Sequence, residues 1–253
     1  MNLRYLLGIP IALPLLPLMY VQGKRIRQEV PKLPEAKEPQ GSAGAEFPGA
    51  LKMIAIGEST IAGIGVDRHG DGFNGSLANE LAKKLQRRID WRVYAKSGYT
   101  ARKVRKILLP KIEEKEVDLI VIGLGGNDAF TLNRPQNWRQ EIEKLIKDLQ
   151  HRFPEASIFF TNMPPIKEFP AFTSTIKMVV GNLGEILGEE LEKVVAGFQN
   201  VYFSSEKIAV DTWSDRYGQP GEGISYFSDG VHPSQYTYQV WARDMASFIA
   251  NNY

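Results

Sequence analysis

The residues best equipped for chemistry sit in short polar breaks between apolar runs. Ser59 follows the run at 51–56, in the stretch Gly57-Glu58-Ser59-Thr60. A serine at a strand-to-helix turn presents its hydroxyl clear of the chain, with backbone N–H groups beside it. To act as a nucleophile it needs a base that titrates near neutrality, and imidazole is the usual one. The chain has three histidines: His69, His151 and His232. Asp229 stands three residues before His232, in Asp229-Gly230-Val231-His232-Pro233. A carboxylate at that spacing on a turn can reach imidazole Nδ1, fix its tautomer and stabilise the imidazolium. A tetrahedral oxyanion needs donors already in place. The backbone N–H groups of Ser59 and Gly98, with the side-chain amide of Asn127, would supply three. Glycine at 98 lets a carbonyl come close to the chain. Singly, these features also fit a helix cap or a tight turn. Together they are the parts of an acyl-transfer site.

Other chemistries find no support. No G-x-x-x-x-G-K-[ST] stretch is present, and the glycines at 63–65 and 123–126 lack dinucleotide-binding spacing. Cysteine is absent, which excludes thiolate metal sites, disulfides and a cysteine nucleophile. No two histidines have metal-ligand spacing, so neither metal nor cofactor is expected. His151 is isolated, and His69 sits among Asp67, Arg68, Gly70 and Asp71 in what reads as a polar loop. Residues 1–50 hold six basic and four acidic residues, which leaves 25 of each sign in residues 51–253. That neutral remainder argues against nucleic acid as a partner.

The site needs elements to position it, and the pattern from residue 51 provides them. Strands are expected at 51–56, 91–95, 117–122, 156–161 and 200–203. Helices are expected at about 72–89, 100–114, 136–152, 173–198 and from Pro233 to about 250. The run VDLIVI at 117–122 is nearly all apolar, as in a strand buried on both faces. Five strands alternating with helices predict an α/β protein with a five-stranded parallel sheet and helices on both sides. Ligands of such sheets bind beyond the carboxyl ends of the strands. Ser59, Gly98, Asn127 and the Asp229–His232 loop all fall on that rim.

Taken in order, Gly57-Glu58-Ser59, Gly98, Gly125-x-Asn127-Asp128 and Asp229-x-x-His232 resemble the four sequence blocks of the SGNH (GDSL-type) hydrolase superfamily. The match spans 51–253, and as a set the blocks are highly specific. The resemblance implies a three-layer α/β/α, flavodoxin-like fold. It implies Ser59 as nucleophile, His232 as base, Asp229 as the orienting acid, and Ser59, Gly98 and Asn127 as oxyanion donors. Glu58 and Asp128 would support the site. The family usually has Asp before the nucleophile, where this chain has Glu58; that acid braces neighbouring loops, and glutamate keeps the charge with one methylene more. Within the superfamily the chain looks most like membrane-anchored bacterial esterases of the lysophospholipase-like group.

Residues 5–21 carry no charge, and as a helix they would reach roughly 25 Å. Pro10, Pro14 and Pro17 interrupt them. A tilted span, an interfacial anchor and a signal peptide are all compatible with that segment. Lys24, Arg25 and Arg27 follow it, which leans the body towards the cytoplasmic side over a periplasmic or extracellular one. The expected organisation is an apolar N-terminal segment at 1–21, a Pro/Gly-rich linker at 22–50 and a catalytic domain at 51–253. The loop 163–172 and the aromatics Trp213, Tyr217, Tyr226 and Phe227 are candidate walls for an acyl chain. The expected substrates are short-acyl or lysophospholipid-like esters. A carbohydrate O-deacetylase, or a catalytically silent acyl- or glycan-binding protein, are the other readings.

Overall fold

In the computed structural model, residues 2–218, 221 and 225–253 are described. The helices are α1 (Leu3–Glu29), α2 (Phe73–Leu85), α3 (Ala101–Lys103), α4 (Gly126–Phe130), α5 (Pro135–Arg152), α6 (Ser174–Ile176), α7 (Asn182–Val195), α8 (Val210–Tyr217) and α9 (Gln235–Asn252). The strands are β1 (Gln40–Ala43), β2 (Ala50–Gly57), β3 (Arg88–Ala95), β4 (Leu119–Gly123), β5 (Ser157–Phe160) and β6 (Val201–Phe203). They form one sheet in the order β1-β3-β2-β4-β5-β6.

The period of two in each strand divides the core. Met53, Ala55, Val121 and Phe159 face a cluster completed by Leu77 and Leu81 of α2 and by Trp241 and Met245 of α9. Ile54, Ile56, Ile122 and Phe160 face the opposite cluster, with Trp138 and Leu145 of α5 and Leu187 of α7. The result is the expected three-layer α/β/α sandwich. Two of the expected helices are composite. A π turn at Val104–Leu108 and a 3-10 turn at Leu109–Lys111 extend α3, and a π turn at Lys177–Gly181 joins α6 to α7. The last helix starts later than Pro233: Ser234 is its N-cap, accepting from the Thr237 N–H.

The sheet has six strands rather than five, because the stretch read as a linker supplies one. β1 pairs antiparallel with β3, from Gln40 opposite Arg92 to Ala43 opposite Ile89. The residues before it are also pinned. Ala36 N donates to Ala62 O at 3.0 Å, Lys37 N to Asp67 O at 2.9 Å, and Val93 N to Pro39 O at 2.8 Å. Proline lacks the ladder donor, so Pro39 suits the start of an edge strand. The helix α1 also runs into this segment, as far as Glu29, and accommodates Pro10, Pro14 and Pro17. By length and composition α1 can cross a membrane, a test that signal sequences also pass. Its Tyr5, Met19 and Ile26 pack against the core, while Leu7, Leu13 and Val21 are exposed.

Gly41 tests the edge strand. A Cβ there would lie 2.5 Å from Trp91 Cζ2. Gly41→Ala should therefore destabilise the protein by about 1–3 kcal/mol in urea unfolding. In a solvated linker the same change would be neutral or slightly stabilising, and that outcome would remove β1 from the folded body.

Candidate active site

The loops after β2, β3 and β4 and the loop before α9 meet at the carboxyl edge of the sheet. Ser59 lies in the turn after β2, where its carbonyl accepts from Ile64 N at 3.1 Å. Among the described residues, its hydroxyl and its backbone N–H have no hydrogen-bond partner. The Asp229–His232 pair is fully formed. Asp229 Oδ2 lies 2.7 Å from His232 Nδ1, and Oδ1 accepts from His232 N at 2.7 Å and Val231 N at 2.9 Å. The Asp229 side chain is 1% exposed and that of His232 21%. Burial by itself would raise the Asp229 carboxyl, but the bonds from the His232 side chain and from the His232 and Val231 amides outweigh it and hold it below the usual range. No hydrogen bond joins Ser59 to His232 among the described residues. Catalytic contacts of this kind often tighten only when substrate binds.

Two features bring the Ser59 loop against the Asp229–His232 loop. At Gly65 (φ +102°) a Cβ would stand 2.5 Å from Ser228 Oγ and 2.7 Å from Pro233 O. Only a glycine allows that approach. Tyr238 of α9, buried, donates its hydroxyl to Ile64 O at 2.8 Å. Neither residue stands out in the sequence as part of the site.

Gly98 has φ +81° and open space where a Cβ would be, and its N–H has no protein acceptor among the described residues. Two of the three expected oxyanion donors, the N–H groups of Ser59 and Gly98, are thus unpaired. Asn127 lies on the same rim but is occupied: its Nδ2 donates to Glu58 Oε2 at 2.5 Å and to Tyr99 O at 3.2 Å. Glu58 is buried beneath it. Its Oε1 accepts from Gly126 N at 2.7 Å, and its Oε2 from Asn127 N at 2.9 Å. Asp128, also buried, accepts from Ala101 N at 2.8 Å and from Asn133 Nδ2 at 2.8 Å. Glu58 therefore ties the β4 loop to the β2 loop, and Asp128 ties the β4 loop to the start of α3. A third carboxylate, Glu35, comes from the stretch read as linker. It accepts from Ser97 N at 2.8 Å and from Lys96 Nζ at 2.9 Å, beside Gly98.

An apolar slot of about 40 Å³ lies beside these groups. Its walls include Leu124, Pro164, Pro165, Phe169, Phe227 and Trp241. Pro164, Pro165 and Phe169 of the loop 163–172 and Tyr226 and Phe227, all candidate wall residues in the sequence, line this slot, with Phe169 and Phe227 in edge contact at 5.6 Å. Tyr217 does not line the slot; its hydroxyl bonds Asp244. The Trp213 side chain lies outside the described residues. Beyond Asn162 and Ile208, which border both, is a more polar hollow of about 390 Å³ with Ser204, Ser205, Lys207 and Arg216.

His69 does lie in a polar loop, with Asp67, Arg68 and Asp71 exposed, but its own side chain is turned inward. It is 4% exposed, with Asn74 Nδ2 3.1 Å from its Nδ1, and burial pushes its pKa down to about 4 against an opposing pull from Glu35. Glu58 moves the other way. Burial raises it to about 7 despite the bonds from Asn127 and Gly126, and Asp128 adds to the rise. The signs follow from linkage. The Glu58 contribution to stability is full below its ordinary value of 4.5 and is lost as pH climbs through about 7. The His69 contribution is full above 6.5 and is lost as pH falls through about 4. Between those limits the two slopes oppose each other. Glu58→Gln removes one of them. Urea unfolding of that variant should show stability rising with pH across the window, by up to about 1.4 kcal/mol per pH unit, relative to the parent. Parallel profiles for parent and variant would refute the assignment.

A GDSL esterase/lipase of Arabidopsis thaliana is 24% identical over 192 residues, covering 68% of this chain and 78% of the plant protein. A member of the lipolytic G-D-S-L family from Veillonella parvula superposes with a TM-score of 0.55 at 15% identity, covering 79% of this chain and 97% of that one. An extracellular lipase from Streptomyces rimosus gives 0.56 at 13% identity, over 79% and 99%. A carbohydrate esterase family 2 enzyme of Corynascus thermopiles (Myceliophthora fergusii), with its carbohydrate-binding domain, gives 0.56 at 17% identity, over 88% and 68%. At these identities the structural likeness is one of fold. Residues 55–240 match the GDSL-like Lipase/Acylhydrolase family, and the chain belongs to that family.

Proposed function

We propose that the protein is a serine esterase that hydrolyses carboxylic esters through an acyl-enzyme. The observation that supports this best is the preformed Asp229–His232 pair on the same rim as a serine whose hydroxyl and amide are both unpaired. Asp229, as acceptor, puts the proton of His232 on Nδ1 and leaves Nε2 as the base. Ser59 Oγ bonds to the ester carbonyl carbon while its proton passes to Nε2. The carbonyl oxygen becomes an oxyanion, held by the N–H groups of Ser59 and Gly98. Asn127 joins them by giving up its 3.2 Å bond to Tyr99 O. Collapse breaks the ester C–O bond, and the imidazolium returns its proton to the departing alkoxide. Water then repeats the sequence on the acyl-enzyme, releasing the acid and regenerating Ser59. The exposed apolar side chains of α1 suit attachment to a membrane, so short-acyl and lysophospholipid-like esters are the substrate classes to test.

A second reading, carbohydrate O-deacetylase, uses the same steps. The polar hollow next to the apolar slot favours it, since hydroxyl and amide groups there suit a sugar as leaving group.

Labelling with a fluorophosphonate probe, followed by peptide mapping, should modify Ser59 and no other serine. Ser59→Ala should lower kcat by about 10⁴-fold or more while leaving the unfolding transition in place. Undiminished turnover in Ser59→Ala would reject the mechanism. A folded protein that neither labels nor turns over any ester would leave the silent-binder reading.

A further inference from the structure

The geometry points to Glu35 as a positioning residue for the reaction: it holds the turn from which Gly98 N–H is aimed at the oxyanion. The inference rests on the serine-esterase reading and adds to it a residue from the N-terminal approach. Residues 96–99 form a turn closed by Tyr99 N, which donates to Lys96 O at 3.2 Å. Of its two central residues only Gly98 has a positive φ, +81°, which is the type II form. In the type I form of the same turn the central peptide is turned over, and Gly98 N–H with it. The direction of that donor therefore depends on how the turn is held.

The ends of the turn are tied to neighbouring chain. Lys96 N donates to Gly57 O at 3.2 Å, and Tyr99 O accepts from Asn127 Nδ2 at 3.2 Å. The second of these ties is the one the proposed mechanism releases. The centre of the turn is exposed, and Glu35 holds it. Glu35 Oε1 accepts from Ser97 N at 2.8 Å, and Oε2 from Lys96 Nζ at 2.9 Å. Among the described residues, Ser97 N has no other acceptor. A charged acceptor bonds an amide more strongly than a neutral one. Glu35 is itself fixed by its chain neighbours. Ala36 N donates to Ala62 O at 3.0 Å, Lys37 N to Asp67 O at 2.9 Å, and Lys37 O accepts from His69 N at 3.0 Å. At Gly63 a Cβ would stand 2.6 Å from Ala36 Cβ, so the two segments meet closely. Residues 35–37 thus join the loop that carries Ser59 to the turn that carries Gly98. A donor that loses its aim lowers the rate of the chemical step and leaves ground-state binding nearly as it was.

The test is hydrolysis of p-nitrophenyl acetate and butyrate by the full chain in detergent micelles. The Glu35 side chain is 29% exposed, so Glu35→Ala opens no core cavity. That variant should lower kcat by about 10- to 100-fold, less than the loss of an oxyanion donor outright, with KM within about 2-fold of the parent. Fluorophosphonate labelling of Ser59 should slow in the same proportion. Glu35→Gln keeps an oxygen for Ser97 N and should recover most of the loss. Ser97→Pro removes the N–H that Glu35 accepts while suiting the second position of a type II turn. In that background Glu35→Ala should change kcat by less than about 2-fold. A parent-like kcat in Glu35→Ala, or an undiminished effect of that change in the Ser97→Pro background, would overturn the inference and leave the esterase reading intact. A parent that turns over no ester and leaves Ser59 unlabelled would overturn both.

Discussion

Two buried carboxylates hold this site together, and most of its geometry follows from them. The strands of a parallel sheet fan apart at their carboxyl ends, and the loops they release have no shared ladder. Glu58 and Asp128 supply the missing cross-links. Glu58 places both carboxylate oxygens on amides of the β4 loop, and Asp128 places one on Ala101 N at the end of the β3 loop and the other on Asn133 of its own loop, so the β2, β3 and β4 loops are tied in series. A buried carboxylate is costly unless its lone pairs are met. Here the donors are the amides that a turning loop would otherwise leave unpaired. The extra methylene of Glu58, relative to aspartate, carries its two oxygens across to consecutive amides, Gly126 and Asn127. The same reach lets Oε2 take a hydrogen of the Asn127 side chain.

Support for the site extends to residues well outside it in sequence. Glu35 fixes the Ser97 amide next to Gly98, and the backbone at 36–37 is stitched to the loop that carries Ser59. The N-terminal approach is thus the outer wall of the Ser59 loop as well as a sheet edge. His69 belongs to the same wall. Held neutral inside the fold, its carbonyl takes the Gly72 and Gly75 amides, and its own amide donates to Lys37 O.

What could be read in the sequence was what is local or periodic. β2 and β4 were legible because burial on both faces leaves an unbroken apolar run. Asp229 and His232 were legible because three residues of turn bring them together with no help from the rest of the chain. β1 was not: Gln40-Gly41-Ser42-Ala43 turns only Ala43 inward, so no alternation marks it. Glu35 was hidden for a different reason, since its partners lie some sixty residues away and nothing near it in sequence hints at them. The occupied state of Asn127 was also illegible. Its residue type announces a donor, but where the two hydrogens go depends on the length of the side chain at 58 and on the path of the chain at Tyr99.

Glu58 and Asp229 show how one rim sets the same functional group in opposite states. Both are buried, and burial alone would push each towards the neutral form. At Asp229 the imidazole and two amides tip the balance, and the carboxyl stays ionised below its usual range. In the proposed mechanism that is the state required to stabilise a positive imidazolium as Ser59 loses its proton. At Glu58 the donors are neutral amides alone, with Asp128 close by, and the balance falls the other way, near 7. Under the proposed mechanism a fully charged Glu58 beneath Asn127 would repel an oxyanion developing there, whereas a carboxyl that protonates readily opposes it less. Environments that separate the pKa values of neighbouring carboxyls divide their roles. In this rim the acid beside His232 is held in its charged form, and the acid next to Ser59 is held against backbone amides.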